Sequence, residues 1–157
     1  MPFTTPLALP TAIDALVSHH QAQWRAAVGA QGLDSQLDQL DPGFLDSLPQ
    51  VLAGSDFVAE QLRRDPQLAW RLHEDGMLWR SLDRGELLKR LDAALLEVDS
   101  EERLAQVLRR FRQLHQVRII WRDLTSLAST AETTRDLSDM ADACLDLAYQ
   151  WLYRRAC

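Results

Sequence analysis

Apolar residues recur along most of this chain at the three- and four-residue spacing of a helix. The pattern is most regular toward the end, where apolar side chains fall at positions 104, 107, 108, 111, 114, 117, 120, 121 and 124. It predicts a helix starting at Ser100 and running to about Leu124. The Ser100 hydroxyl can cap it, and Glu101 and Glu102 face the positive end of its dipole. A second long helix is predicted after Ser129, through Leu137, Met140, Ala141, Cys144, Leu145, Ala148, Trp151 and Leu152. Ser129 and Glu132 read as a capping box for it. The short link between the two makes them an antiparallel pair.

Upstream the pattern breaks into shorter pieces. Thr11 offers an N-cap for a helix with Ile13, Leu16, Val17 and Trp24, ending near Val28 where Gly29–Gly32 stop it. A short helix fits Asp34 to Leu40. Asp41-Pro42 reads as an N-cap with proline at the first helical position, followed by a turn or two through Phe44, Leu45 and Leu48 before Pro49 and Gly54. Ser55 to Pro66 forms a compact helix capped by Ser55, with Phe57, Val58 and Leu62 inward. A second short helix offers Leu68, Trp70 and Leu72 for burial, with Gly76 as C-cap. Asp83 and Glu86 form a capping-box pattern for Leu87 to Val98. The first ten residues, with their three prolines, read as an arm. The expected fold is all-α: an irregular bundle of about six helices, ending in a long antiparallel helix pair. The expected division is an acidic N-terminal arm and short helices over 1–54, and a helical bundle over 55–157.

Composition narrows the function. The net charge is −6, and the first 60 residues hold seven acids against one base, Arg25. Such a balance argues against nucleic-acid binding, which needs a basic face. No apolar run approaches the length of a membrane span. The two cysteines, Cys144 and Cys157, do not suggest a disulfide framework, and a cytoplasmic setting is expected.

Candidate chemistry is sparse. Arg118 falls on the inward stripe of its helix, flanked at helical spacing by His115 and Arg122. A buried guanidinium needs carboxylates or carbonyls, because an unpaired buried charge is very costly. Asp136, Asp139, Asp142 and Asp146 of the last helix can supply them. The candidate structural ion-pair set is Arg118, Arg122, Asp142 and Asp146. A phosphate contact at Arg118 is the alternative, but no Gly-rich loop lies beside it. The run Arg109, Arg110 and Arg112 reads as a solvated helix face. None of His19, His20, His73 and His115 pairs with a second His or Cys at metal-ligand spacing. No GxSxG, GxxxxGK[ST] or GxGxxG occurs. No catalytic, cofactor-binding or metal residue is therefore assigned.

The segment LRRFRQLHQVRIIWRDLTSLASTAETTRDLSDMADACLDLAYQWLY, Leu108 to Tyr153, closely resembles the N-terminal part of the bifunctional glutamine synthetase adenylyltransferase/adenylyl-removing enzymes. The family pattern there is VRIxWRDL followed by ETxxxLSxLADxxLxxAxxWLY. SDFVAEQLRRDPQLAWRL, Ser55 to Leu72, resembles the family's upstream segment. The resemblance implies a cytoplasmic enzyme of nitrogen regulation with two nucleotidyltransferase-type domains. One attaches AMP from ATP to glutamine synthetase and the other removes it by phosphorolysis. Magnesium and ATP are the implied cofactors of the parent enzyme, held by a GxGKxGxxELNxxSDID segment, and none is expected in this chain. There is no glycine after Gly85, and no position here matches that motif. The chain is therefore expected to be a helical scaffold that stops before the catalytic motif. Its expected partners are the remainder of the parent enzyme and glutamine synthetase, without nucleic acid or membrane. The alternative is a free-standing all-α protein–protein interaction module.

Overall fold

The computed structural model describes residues 11–156. The predicted N-terminal arm and Cys157 lie outside the described residues. All regular structure among the described residues is helical: α1 (Thr11–Ala30), a 3-10 turn (Asp34–Gln39), α2 (Pro42–Gly54), α3 (Asp56–Arg64), α4 (Leu68–Arg71), a second 3-10 turn (Glu74–Gly76), α5 (Glu86–Leu95), α6 (Glu101–Leu124) and α7 (Thr130–Ala156). The irregular all-α bundle is thus present. The chain forms two compact units, one ending at Pro66 and one beginning at Gln67. The expected boundary at 54–55 differs because α3 packs with α1 and α2.

In the first unit, α1 buries Val17, Trp24 and Val28. Its end is closed by paired backbone bonds, with Leu33 N–H donating to the Val28 carbonyl at 3.1 Å and Gly32 N–H to the Gly29 carbonyl at 3.0 Å. Gly32 adopts φ +68 here, the left-handed conformation this closure requires. Asp41 caps α2 by accepting from Gly43 N–H at 2.8 Å. α2 does not stop at Pro49 but continues to Gly54. A mid-helix proline costs about 3 kcal/mol. Val51 and Leu52, buried beyond it, each recover roughly 1.5–3 kcal/mol. Trp24 meets Phe44 edge-on, with ring centroids 6.2 Å apart. α3 is capped by Ser55, which accepts from Val58 N–H. It buries Val58 and Leu62, while Phe57 is only half-buried.

In the second unit, α4 is a single turn that buries Leu68 and Ala69. Leu72 beyond it is buried and Trp70 is half-buried. Asp75 and Gly76 both take positive φ, 55 and 62, and turn the chain into the irregular stretch Met77–Leu82. Glu86 reaches back to accept from Asp83 N–H at 3.1 Å, one half of the predicted capping box. α5, α6 and α7 pack on one another. Their shared core includes Leu87, Leu91, Leu104, Phe111, Met140 and Leu147. Ser100 and Ser129 cap α6 and α7 as expected. The pairs Arg122–Glu132 and Arg118–Asp136 step in opposite directions along the two helices, so they run antiparallel.

Candidate functional site

The most concentrated polar structure sits where α6 and α7 approach their connecting turn. From His115 to Arg122 this part of α6 is buried or half-buried at every position. The helix therefore carries two guanidinium groups into a dehydrated setting, where each N–H needs an acceptor. Arg118 Nε donates to the Met77 carbonyl at 2.7 Å. Its Nη2 donates to the Arg80 carbonyl at 2.7 Å and its Nη1 to Asp136 Oδ2 at 2.8 Å. One turn on, Arg122 Nη1 donates to the Leu78 carbonyl at 2.7 Å. Its Nη2 reaches the Leu127 carbonyl at 3.0 Å and Glu132 Oε1 at 2.9 Å. The two arginines thus clasp the irregular stretch Met77–Arg80, whose backbone carbonyls have no helical partners.

The carboxylates are satisfied from both sides. Asp136 Oδ1 accepts from Arg135 Nη2 at 2.8 Å, and Glu132 Oε2 accepts from the Ser81 hydroxyl at 2.8 Å. Beside this group, Glu86 accepts from Arg80 and Arg90, and these hydrogen bonds, that of Arg80 foremost, hold its carboxyl down to about 2. Burial pulls the Arg118 guanidinium below its ordinary value, and the bond to Asp136 pulls back the other way. His115, one turn before Arg118, packs its ring 4.3 Å from Phe111. Burial, aided by the charge of Arg118, lowers its pKa to about 3. Its Nδ1 is buried without a hydrogen-bond partner. A neutral imidazole fits this position and an imidazolium does not.

Arg118 and Arg122 are therefore brought together, and Arg118 meets Asp136, one of the four aspartates offered for it, but Asp142 and Asp146 of the candidate set take no part. Asp142 and Asp146 are exposed on α7. The pairing carboxylates are Asp136 and Glu132, which lie closer to the turn. In an antiparallel pair, partners lie equally far from the turn: 118 and 136 are equidistant from 127, as are 122 and 132. That arithmetic was available in the sequence. The carbonyls of Met77, Leu78 and Arg80 were not, because a backbone acceptor leaves no mark in residue type.

These residues do not fit a magnesium–nucleotide pair. Each oxygen of Asp136 and Glu132 already accepts from a donor, and the flanking guanidinium groups oppose a cation. Among the described residues there is no group of three or more His, Cys, Asp or Glu side chains that could hold a metal ion. The clasp ties α6 and α7 to the stretch Met77–Arg80. No described helix is long and apolar enough to cross a membrane.

Comparison with known proteins places this arrangement. The family model for glutamate-ammonia ligase adenylyltransferase matches residues 45–157, which include the whole clasp. The bifunctional glutamine synthetase adenylyltransferase/adenylyl-removing enzyme of Pseudomonas syringae pv. tomato is 55% identical over 108 residues, covering 69% of this chain and 11% of that enzyme. The enzyme of the same description from Pseudomonas aeruginosa is 48% identical over 132 residues, 84% of this chain and 13% of the relative. That of Pseudomonas putida is 42% identical over 153 residues, 97% of this chain and 16% of the relative. The chain thus spans between 11 and 16% of the length of these relatives. No solved structure gives a significant match. With residues 45–157, more than two-thirds of its length, inside the family match, clasp included, the chain belongs to the glutamate-ammonia ligase adenylyltransferase family.

Proposed function

We propose that this chain is the helical support of a glutamine synthetase adenylyltransferase/adenylyl-removing enzyme. One observation carries this reading. In the VRIIWRDL segment, Arg118 through Nε and both Nη atoms, and Arg122 through both Nη atoms, donate to backbone carbonyls and carboxylates of their own unit. They hold a loop in place rather than facing a substrate. A support of this kind contributes by fixing the orientation of what is built on it. Magnesium and ATP then belong to other parts of the enzyme, as does contact with the adenylyl group on glutamine synthetase. The place of action is the cytoplasm, where the half-buried Cys144, free in this structure, stays reduced.

The test is a chimera. The matching segment of the Pseudomonas putida enzyme is replaced by this chain, and phosphate-dependent release of ADP from adenylylated glutamine synthetase is measured. Retained activity in the chimera, with none from the 157-residue chain alone, is expected. A folded but inactive chimera, or ADP release by the isolated chain, would overturn the reading.

A further inference from the structure

α7 has two faces of opposite character. Asp136, Met140, Ala143 and Leu147 are buried on one side. Leu145, Tyr149 and Leu152 fall on the other, within an arc of roughly 60° at 3.6 residues per turn. They are 69%, 68% and 44% exposed. Tyr153, also exposed, stacks on Tyr149 with ring centroids 5.9 Å apart. The two rings present one continuous apolar surface. A contiguous exposed stripe of this kind marks an interaction site.

The edge of the stripe has a sign. Asp142 and Asp146 lie roughly 60° and 100° round the helix from Leu145, on the same edge as Tyr153. Both are exposed. The internal pairs of α7 use Glu132 and Asp136 instead, so these two carboxylates remain available to a partner.

Resting on the function proposed above, we infer that this stripe seats an amphipathic helix from another part of the same enzyme. That helix carries apolar residues toward Leu145 and Tyr149 and Lys or Arg along the edge facing Asp142 and Asp146. Charge complementarity selects a cationic edge. The length of the relatives, of which the matched segment is 11–16%, supplies the chain for it. A second copy packed antiparallel through this stripe would set the acidic edge against its own twin, a repulsive arrangement.

The experiment uses the full chain and overlapping peptides that tile the part of the Pseudomonas putida enzyme outside the matched segment. Fluorescence anisotropy reads binding, and ultracentrifugation reads self-association. One basic-edged amphipathic peptide is expected to bind, with its affinity falling as salt rises. Leu145→Glu, and separately the pair Asp142→Asn and Asp146→Asn, should each weaken it by about tenfold or more. These positions are exposed, and an unchanged urea midpoint would show the fold intact. The inference is overturned if no peptide binds, if Leu145→Glu leaves binding unchanged, or if the free chain forms a dimer that Leu145→Glu abolishes. An active chimera with no binding peptide would sink this inference alone. An inactive chimera would sink the function reading.

Discussion

At the residue scale, Arg118 shows how a charge becomes structural. Its three nitrogens hold three acceptors from two different parts of the chain. Arg118→Ala removes them all and leaves Asp136 buried beside one remaining guanidinium, that of Arg135. Breaking a buried pair from one side costs about 3–5 kcal/mol, which urea titration would read as a lowered midpoint. Asp142→Asn and Asp146→Asn, at exposed positions, should stay within about 0.5 kcal/mol of the parent. Arg118→Lys should recover little, since an ammonium cannot span a fork of three fixed acceptors. His115 makes a second prediction at this scale. Its folded pKa of about 3 lies below the ordinary 6.5, so the neutral form is the one that folds. Its stabilising contribution is complete above pH 6.5 and is lost as pH falls toward 3. The slope is at most about 1.4 kcal/mol per pH unit. His115→Gln should flatten the urea-stability profile between pH 6 and about 5, above the range where Glu86 begins to contribute. An unchanged profile would place the sensitivity elsewhere.

At the element scale, Gly32 closes α1 in the left-handed region with nothing within 4 Å of an added Cβ. The cost of Gly32→Ala is therefore purely conformational, about 1 kcal/mol, measurable as a small drop in the thermal midpoint. Most elements of this kind were legible beforehand. The caps Ser55, Ser100 and Ser129 and the long antiparallel pair announce themselves through short-range residue patterns. Pro49 misled because local preference ends a helix there, whereas burial of Val51 and Leu52 continues it. Glu132 misled in another way. It has the position of a capping-box partner for Ser129, but its carboxylate is drawn to Arg122 and Ser81, groups far from it in sequence. The candidate site was half visible for the same reason. Helical spacing exposes which arginines turn inward, but the carbonyls that meet them come from non-helical stretches with no periodicity to read.

At the scale of the second unit, the clasp and the stripe lie toward opposite ends of α7, and this sets a gradient along it. α7 has 27 residues, about 40 Å of helix at 1.5 Å per residue. Near the turn it is pinned by Glu132 and Asp136. Through its middle it is held by Met140, Ala143 and Leu147 in the core. Toward the end, Trp151 donates its indole N–H to the Val98 carbonyl at 3.2 Å and carries Arg155 over its ring, while every described residue beyond it is exposed. Helix ends open at almost no cost, whereas clasped and core-packed turns exchange only when larger units open. Amide hydrogen exchange should therefore be slowest from Asp136 to Leu147 and fastest after Trp151. Arg118→Ala should speed exchange near Asp136 and in α6 together, because both lean on one guanidinium. If Asp136 and its neighbours stayed protected in that variant, the core residues alone would be holding the hairpin, and the clasp would serve only to set the path of Met77–Arg80.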